Sequence, residues 1–334
     1  MQTITLPTYP KFTTHKRSDS LISASQITLG SSHPSDSNIQ ICMESPKEYY
    51  CLDWIDTKKL SWDIISANPK AIKLLEANPD KINWTKLSLN SSAMHLLESN
   101  PDKINWSMLS MNRSAVHLLE ANPDKIDWNN LSSYVNSKTI KLLEKNLDNP
   151  NIDWFWLSKN PYAIHLLEAN PDKINWRWLS LNTSAIKLIE ANLDKIDWDW
   201  LCLNTSATHI LEANLDKVNW FMLSKNTSAI RILEANLDKV DWACLSANPS
   251  AIDILKDVYA PECMFCCYAK KYSINWTCLS ANSSALELLK ANPAKIDWSE
   301  LSKNPAGIEL LKANQNKIRW KEFSKNPAIF EART

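Results

Sequence analysis

The chain reads as all-α: an α-solenoid of about twelve 22-residue helix-pair repeats, preceded by a tail without periodicity. Three observations predict this. Tryptophan recurs at positions 62, 84, 106, 128, 154, 176, 198, 220, 242, 276, 298 and 320, and nine of the eleven intervals are 22 residues. A fixed short period over most of a chain is the mark of a repeat array. Within each unit the apolar residues fall at helical spacings, with Ala71, Ile72 and Leu75 at i, i+1 and i+4 and Trp62 and Ile65 at i and i+3. Glycine is confined to Gly30 and Gly307, which suits helices better than a strand-rich fold with many tight turns.

Taken in order, residues 1–46 are rich in Ser, Thr and Pro and are expected to be a disordered tail. Residues 47–61 form a divergent N-terminal cap, in which DTKKLSW imitates the NPDKINW that closes each repeat. Such an atypical end is what an open solenoid needs to cover its first apolar face. The array proper covers 62–334, with an insertion at 257–273. Each repeat carries two helix starts. The residue before almost every ladder Trp is Asn or Asp, a side chain that accepts the free N–H groups of a first turn. The second start is Asn-Pro, as at Asn68-Pro69 and Asn304-Pro305, or Asn followed by Ser or Thr. The second helix should end at an Asn such as Asn78, Asn100 or Asn170 in the left-handed conformation. Neither helix is long enough to stand alone, so stability must come from stacked neighbours. Twelve layers at about 8–10 Å each would make an elongated array on the order of 100 Å long.

The unit W-x-x-L-S-x-N-x-x-A-I-x-L-L-E-A-N-P-D-K-I-[ND], opened by L-D-W-I-D-x-x-K-L-x-W, recurs from Leu52 to about Phe330. It resembles the 22-residue Trp/Leu/Asn-rich repeat proteins of mimivirus-like giant DNA viruses. The resemblance implies a viral origin and no particular mechanism. The Ser/Thr-rich tail is not part of it.

Composition narrows the function classes. Lys and Arg together equal Asp and Glu at 37 each, so no global basic field points to nucleic acid. No apolar run approaches the roughly 18 residues that a membrane span needs, and the first 30 residues lack the apolar core of a secretory signal. An intracellular protein is expected, in the host cytoplasm or the virion and not secreted. Its Cys should then be thiols or ligands rather than disulfides. There is no Gly-rich phosphate loop, no GxSxG and no HExxH, and the Glu at the end of each second helix is a copied residue rather than a unique catalytic one. The expectation is a non-enzymatic scaffold for protein–protein interaction. An RNA-binding helical repeat and a structural part of a virion or viral factory are the alternatives.

Candidate sites lie where the copies disagree. The second residue after each ladder Trp is apolar mid-array, at Trp156, Trp178, Trp200 and Met222, with Phe155 and Phe221 beside it. Adjacent aromatic residues on a solenoid surface are candidate anchors for a partner, with extra packing between helices as the plainer reading. The eleventh residue is basic over most of the array, at His95, His117, His165, Lys187, His209 and Arg231, and turns acidic at Asp253, Glu287 and Glu309. It is either a solvated face or a guide for an acidic partner. The insertion carries Cys263, Cys266 and Cys267, and equivalent repeat positions bring in Cys244 and Cys278. Five thiols could hold zinc, although no cofactor is required and a loop packed on the array is the plainer reading.

Overall fold

The computed structural model describes residues 47–133, 136–259 and 274–333. The tail expected over 1–46 lies outside these residues. So does most of the insertion at 257–273, whose first three residues extend the helix Ile252–Tyr259.

Each repeat is built as its caps dictate. The first helix is short, as in Trp84–Leu87 or Trp154–Lys159. The Asn or Asp before it caps it: Asn83 Oδ1 accepts the Lys86 amide at 3.0 Å, and Asp241 Oδ1 accepts the Cys244 amide at 2.8 Å. In Asn-Pro repeats the second start opens with a 3-10 turn, Pro69–Ala71, that runs into the helix Ile72–Glu76, and Asn68 Oδ1 accepts the Lys70 amide at 2.9 Å. The closing Asn corrects the expectation. No residue other than Gly has positive φ among the described residues, and Asn78 sits at φ −139°, ψ 61°. Its side chain ends the helix instead, donating from Nδ2 to the Leu74 carbonyl at 2.9 Å, and Asn100 and Asn170 do the same. A 3-10 turn such as Pro79–Lys81 then leads to the next cap.

Two polar rails join neighbouring repeats. The Ser four residues after the ladder Trp donates its hydroxyl to the Trp carbonyl and accepts the capping amide of the next repeat. Ser88 does so with the Trp84 carbonyl (2.9 Å) and the Asn105 amide (3.0 Å). The Asn two residues further on donates back to the previous repeat. Asn204 Nδ2 reaches the carbonyls of Ser180 (2.9 Å) and Asn182 (3.1 Å), while its Oδ1 accepts the Ser206 amide (3.0 Å). These Ser and Asn are buried, alongside a continuous core of Leu at the third position after Trp, Ala at the ninth and Leu or Ile at the thirteenth. Gly307 replaces one of the Ala, and a Cβ there would meet Leu301 Cδ1 at 2.7 Å.

The expectation of an elongated array with a capped first face is overturned, because the array closes on itself. Strand β1 (Glu48–Cys51) pairs antiparallel with β2 (Phe330–Arg333), in the register Glu48↔Arg333 to Cys51↔Phe330. The Ser rail continues across the junction: the Ser61 amide donates to Ser324 Oγ at 2.8 Å, as Asn83 does to Ser66 Oγ at 3.0 Å. Leu52 N donates to the Ile329 carbonyl at 3.0 Å, and Trp54 lies 5.8 Å from the Phe323 ring. Residues 47–61 therefore join the first repeat to the last rather than capping a free face. Outside the pairing, Arg333 binds Asp53 at 2.7 Å, and Lys73 binds Glu48 at 2.9 Å.

The rails and the junction lead to three predictions. Asn204→Ala removes three hydrogen bonds, two of them buried, and should cost about 3 kcal/mol in a denaturant melt. At Cys202 a thiol stands in the Ser rail, fully buried; Cys202→Ser restores a stronger donor and acceptor and should stabilise by roughly 0.5–1 kcal/mol. Near the junction, the Tyr50 hydroxyl and then Lys73 hold the Glu48 carboxyl below its ordinary 4.5. A carboxylate lowered on folding contributes stability that is present above its unfolded pKa and lost as pH falls through the folded one. Amide protection of β1 and β2 should therefore fall as pH drops below about 4.5, ahead of the helices. Equal loss in both would contradict it.

Candidate interaction surface

Most of the ladder tryptophans lie at the edge of the core rather than within it. Trp128 and Trp242 are buried, whereas the others are half-buried. In most repeats the Lys three residues before the following Trp extends back over the exposed ring. Lys81 lies 4.8 Å from the Trp62 ring centre, Lys103 4.5 Å from Trp84 and Lys217 4.6 Å from Trp198. The arrangement crosses the junction too, with Lys59 over Trp320 at 5.1 Å. A long Lys stem on an indole covers apolar surface while its ammonium stays in water.

The structure brings the predicted aromatic row together. The rings of Trp156 and Trp178 lie 5.2 Å apart, and those of Trp178 and Trp200 5.3 Å. Phe155 sits 5.6 Å from Trp156 and 4.5 Å from Trp178. The three Trp and Met222 are half-buried, so the row packs between helices and still shows ring edges to solvent. Phe155 and Phe221 are its exposed ends, at 38% and 47% exposure. Three cations flank it, with Lys159 over Trp178 at 5.2 Å, Arg177 over Trp200 at 5.0 Å and Lys225 over Phe221 at 3.9 Å. Arg177 also approaches Asp197 at 3.7 Å.

The eleventh-position column is not a free basic stripe. His95, His117, His165 and His209 each meet, at 2.7–2.8 Å, the Glu that ends the previous repeat's second helix: Glu76, Glu98, Glu144 and Glu190. The fourteenth position is Glu wherever the column is basic, then becomes Lys256, Lys290 and Lys312 as the column turns to Asp253, Glu287 and Glu309. The two columns exchange sign together, with Lys290 on Glu287 at 2.9 Å. Reading both columns at once would have shown the pairing. Lys187 and Arg231 belong to the same face. Exposed pairs of this kind contribute about 0–1 kcal/mol each.

Of the five candidate zinc ligands, Cys263, Cys266 and Cys267 lie outside the described residues. The helices bearing Cys244 (Trp242–Ala247) and Cys278 (Trp276–Ala281) pack side by side, as expected. Burial first, then the Asp241 carboxylate, pushes the Cys244 thiol up to about 11, and burial raises Cys278. Protonated thiols bind zinc only by losing their protons. Among the described residues no third donor joins them in a metal-sized cluster.

A second feature was not read from the sequence. An open groove of about 890 Å³ lies where the 26-residue interval separates Trp128 from Trp154. Its walls include Asp124, Asp127, Asn151, Asp153, Trp154 and Phe155, and Phe155 is shared with the aromatic row.

The fold and surface define a class, a closed all-α repeat array with one aromatic face. Comparison with protein-family models, curated proteins and solved structures finds no match. No helix among the described residues is long and apolar enough to cross a membrane.

If the row is half core and half surface, its members separate on substitution. Trp178→Ser should cost about 1–2 kcal/mol, well under the 3–5 kcal/mol of a fully buried Trp. Phe221→Ser should stay within about 0.5 kcal/mol. A two-state denaturant melt reads both.

Proposed function

We propose that the array is a non-enzymatic scaffold that binds a protein partner through the row from Phe155 to Met222. The observation that carries this reading is the row itself. At equivalent positions other repeats hold Lys86, Asn130, Glu300 and Glu322, so packing does not demand large apolar residues there. Exposed aromatic edges on a rigid support are typical binding anchors. Lys159 and Lys225, which lie over rings of the row, favour a partner with carboxylates beside its apolar residues. The repeat consensus supports a viral protein acting in the host cell, in the cytoplasm or the virion.

The intact chain, used as bait in extracts of infected host cells, should retain a protein that the Phe155→Ser/Phe221→Ser variant does not. Retention of the same proteins by both would remove the row from the binding surface. Interleaved rings and cations also suit single-stranded RNA. RNA affinity at about 50 mM salt, falling as salt rises, would favour that reading instead.

A further inference from the structure

The array carries its own template for a bound cation. In nine repeats a Lys of the following unit lies 4.5–5.1 Å from the centre of a ladder Trp: Trp62, Trp84, Trp106, Trp176, Trp198, Trp220, Trp276, Trp298 and, across the junction, Trp320. Among the described residues no cation lies within this range of Trp128 or Trp154. Opposite Trp128 the consensus Lys is replaced by Asn151, because the longer interval changes the sequence that precedes Trp154. Opposite Trp154 the consensus residue, Lys173, does not reach the ring.

Both of these tryptophans line the open groove. Trp128 is buried in its wall, and Trp154 is half-buried beside exposed Phe155. The groove is also acidic. Asp124, Asp127 and Asp153 line it against one cation, Lys125, which is already over Trp106 at 4.6 Å. Asp127 and Asp153 are held in place as helix caps, accepting the amides of Asn130 (3.0 Å) and Phe155 (2.9 Å). Asp127 Oδ2 accepts the Ser107 hydroxyl at 2.8 Å, and Asp153 Oδ2 accepts Asn129 Nδ2 at 2.9 Å. Their charges are fixed at the groove, and among the described residues no Lys or Arg forms an ion pair with Asp124, Asp127 or Asp153.

We infer that this groove receives a lysine or arginine side chain from an extended segment of a protein partner. The alkyl stem would lie along Trp154 and Phe155, and the charge would stand beside the three carboxylates. The array does the same with its own lysines in the other repeats. The site is separate from the aromatic row and meets it at Phe155, so one partner could engage both with residues of opposite character. The inference does not depend on the row binding anything.

The test uses the full chain and a fluorescein-labelled peptide, Ala-Lys-Ala-Lys-Ala, with its doubly Nε-acetylated form as control, read by anisotropy. The lysine peptide should bind and the acetylated one should bind at least about tenfold more weakly, since acetylation removes the charge. Asn151→Lys restores the consensus cation, should leave the thermal melt unchanged or raised, and should weaken binding by about tenfold through occupation of the groove. Asp124→Asn should weaken it several-fold, and Phe221→Ser, outside the groove, should leave it unchanged. Equal binding of the two peptides, indifference to Asn151→Lys, or no binding up to millimolar peptide would each overturn the inference. Loss of binding in Phe221→Ser alone would overturn it in favour of the row.

Discussion

The buried Ser hydroxyl shared between adjacent repeats is the interaction on which this structure depends. The helices run from four to eight residues, far too short to persist in water alone. Apolar burial gives them a reason to stack, but it has no direction and would tolerate sliding. The Ser and Asn rails remove that freedom. A repeat displaced by one residue would leave a buried hydroxyl, an amide and two carbonyls unpaired, each at about 1–3 kcal/mol. Among the described residues no buried side-chain nitrogen or oxygen lacks a partner. Closure follows from the same bond. An open stack exposes an apolar face at each end, and the contact from Ser61 to Ser324 joins those faces in the register used everywhere else.

Much of this was legible in the sequence. The period, both helix starts and the Leu, Ile and Ala core depend on residues within one repeat, and local chemistry reports them. The helix end was misread at Asn78 because Asn can close a helix in two ways. It can adopt positive φ, or it can turn its side-chain amide back onto the i−4 carbonyl, and nothing local separates the two. The junction was missed for a different reason. Its key bond spans 263 positions, and the residues that make it, Lys59, Leu60 and Ser61, were read as a divergent cap. The signal was nevertheless present, because DTKKLSW keeps the Lys, the apolar residue and the Trp of the repeat in register. A segment that still carries the groups that contact a preceding repeat is prepared to meet one.

The aromatic row was legible as variation and not as geometry. Apolar residues at the second position after Trp154, Trp176, Trp198 and Trp220 marked where the rings adjoin. Whether indoles there point outward or between helices depends on the stacking distance, which no single repeat encodes. At ring separations of 5.2–5.3 Å they do both. The His column was harder to read, since one column of charge looks like a field until its neighbour is aligned with it. Exchange of sign in both columns at the same place makes that face self-neutralising.

The longer interval between Trp128 and Trp154 brings these points together. In an array of near-identical units many groups have a partner supplied by the next copy. Rings are covered by lysines, carbonyls by asparagines and glutamates by histidines. A surface saturated in this way offers little to another molecule. Surplus capacity arises where a copy differs in length, because the next unit then brings the wrong residue to a fixed position. Asn151 occupies a lysine's place, two indoles are without their cation, and three carboxylates line the resulting groove. The aromatic row begins at the same interval, with Phe155 on the groove's edge. The period makes the array stand and close, and its interruption leaves rings and carboxylates at one groove without the lysine that other repeats supply.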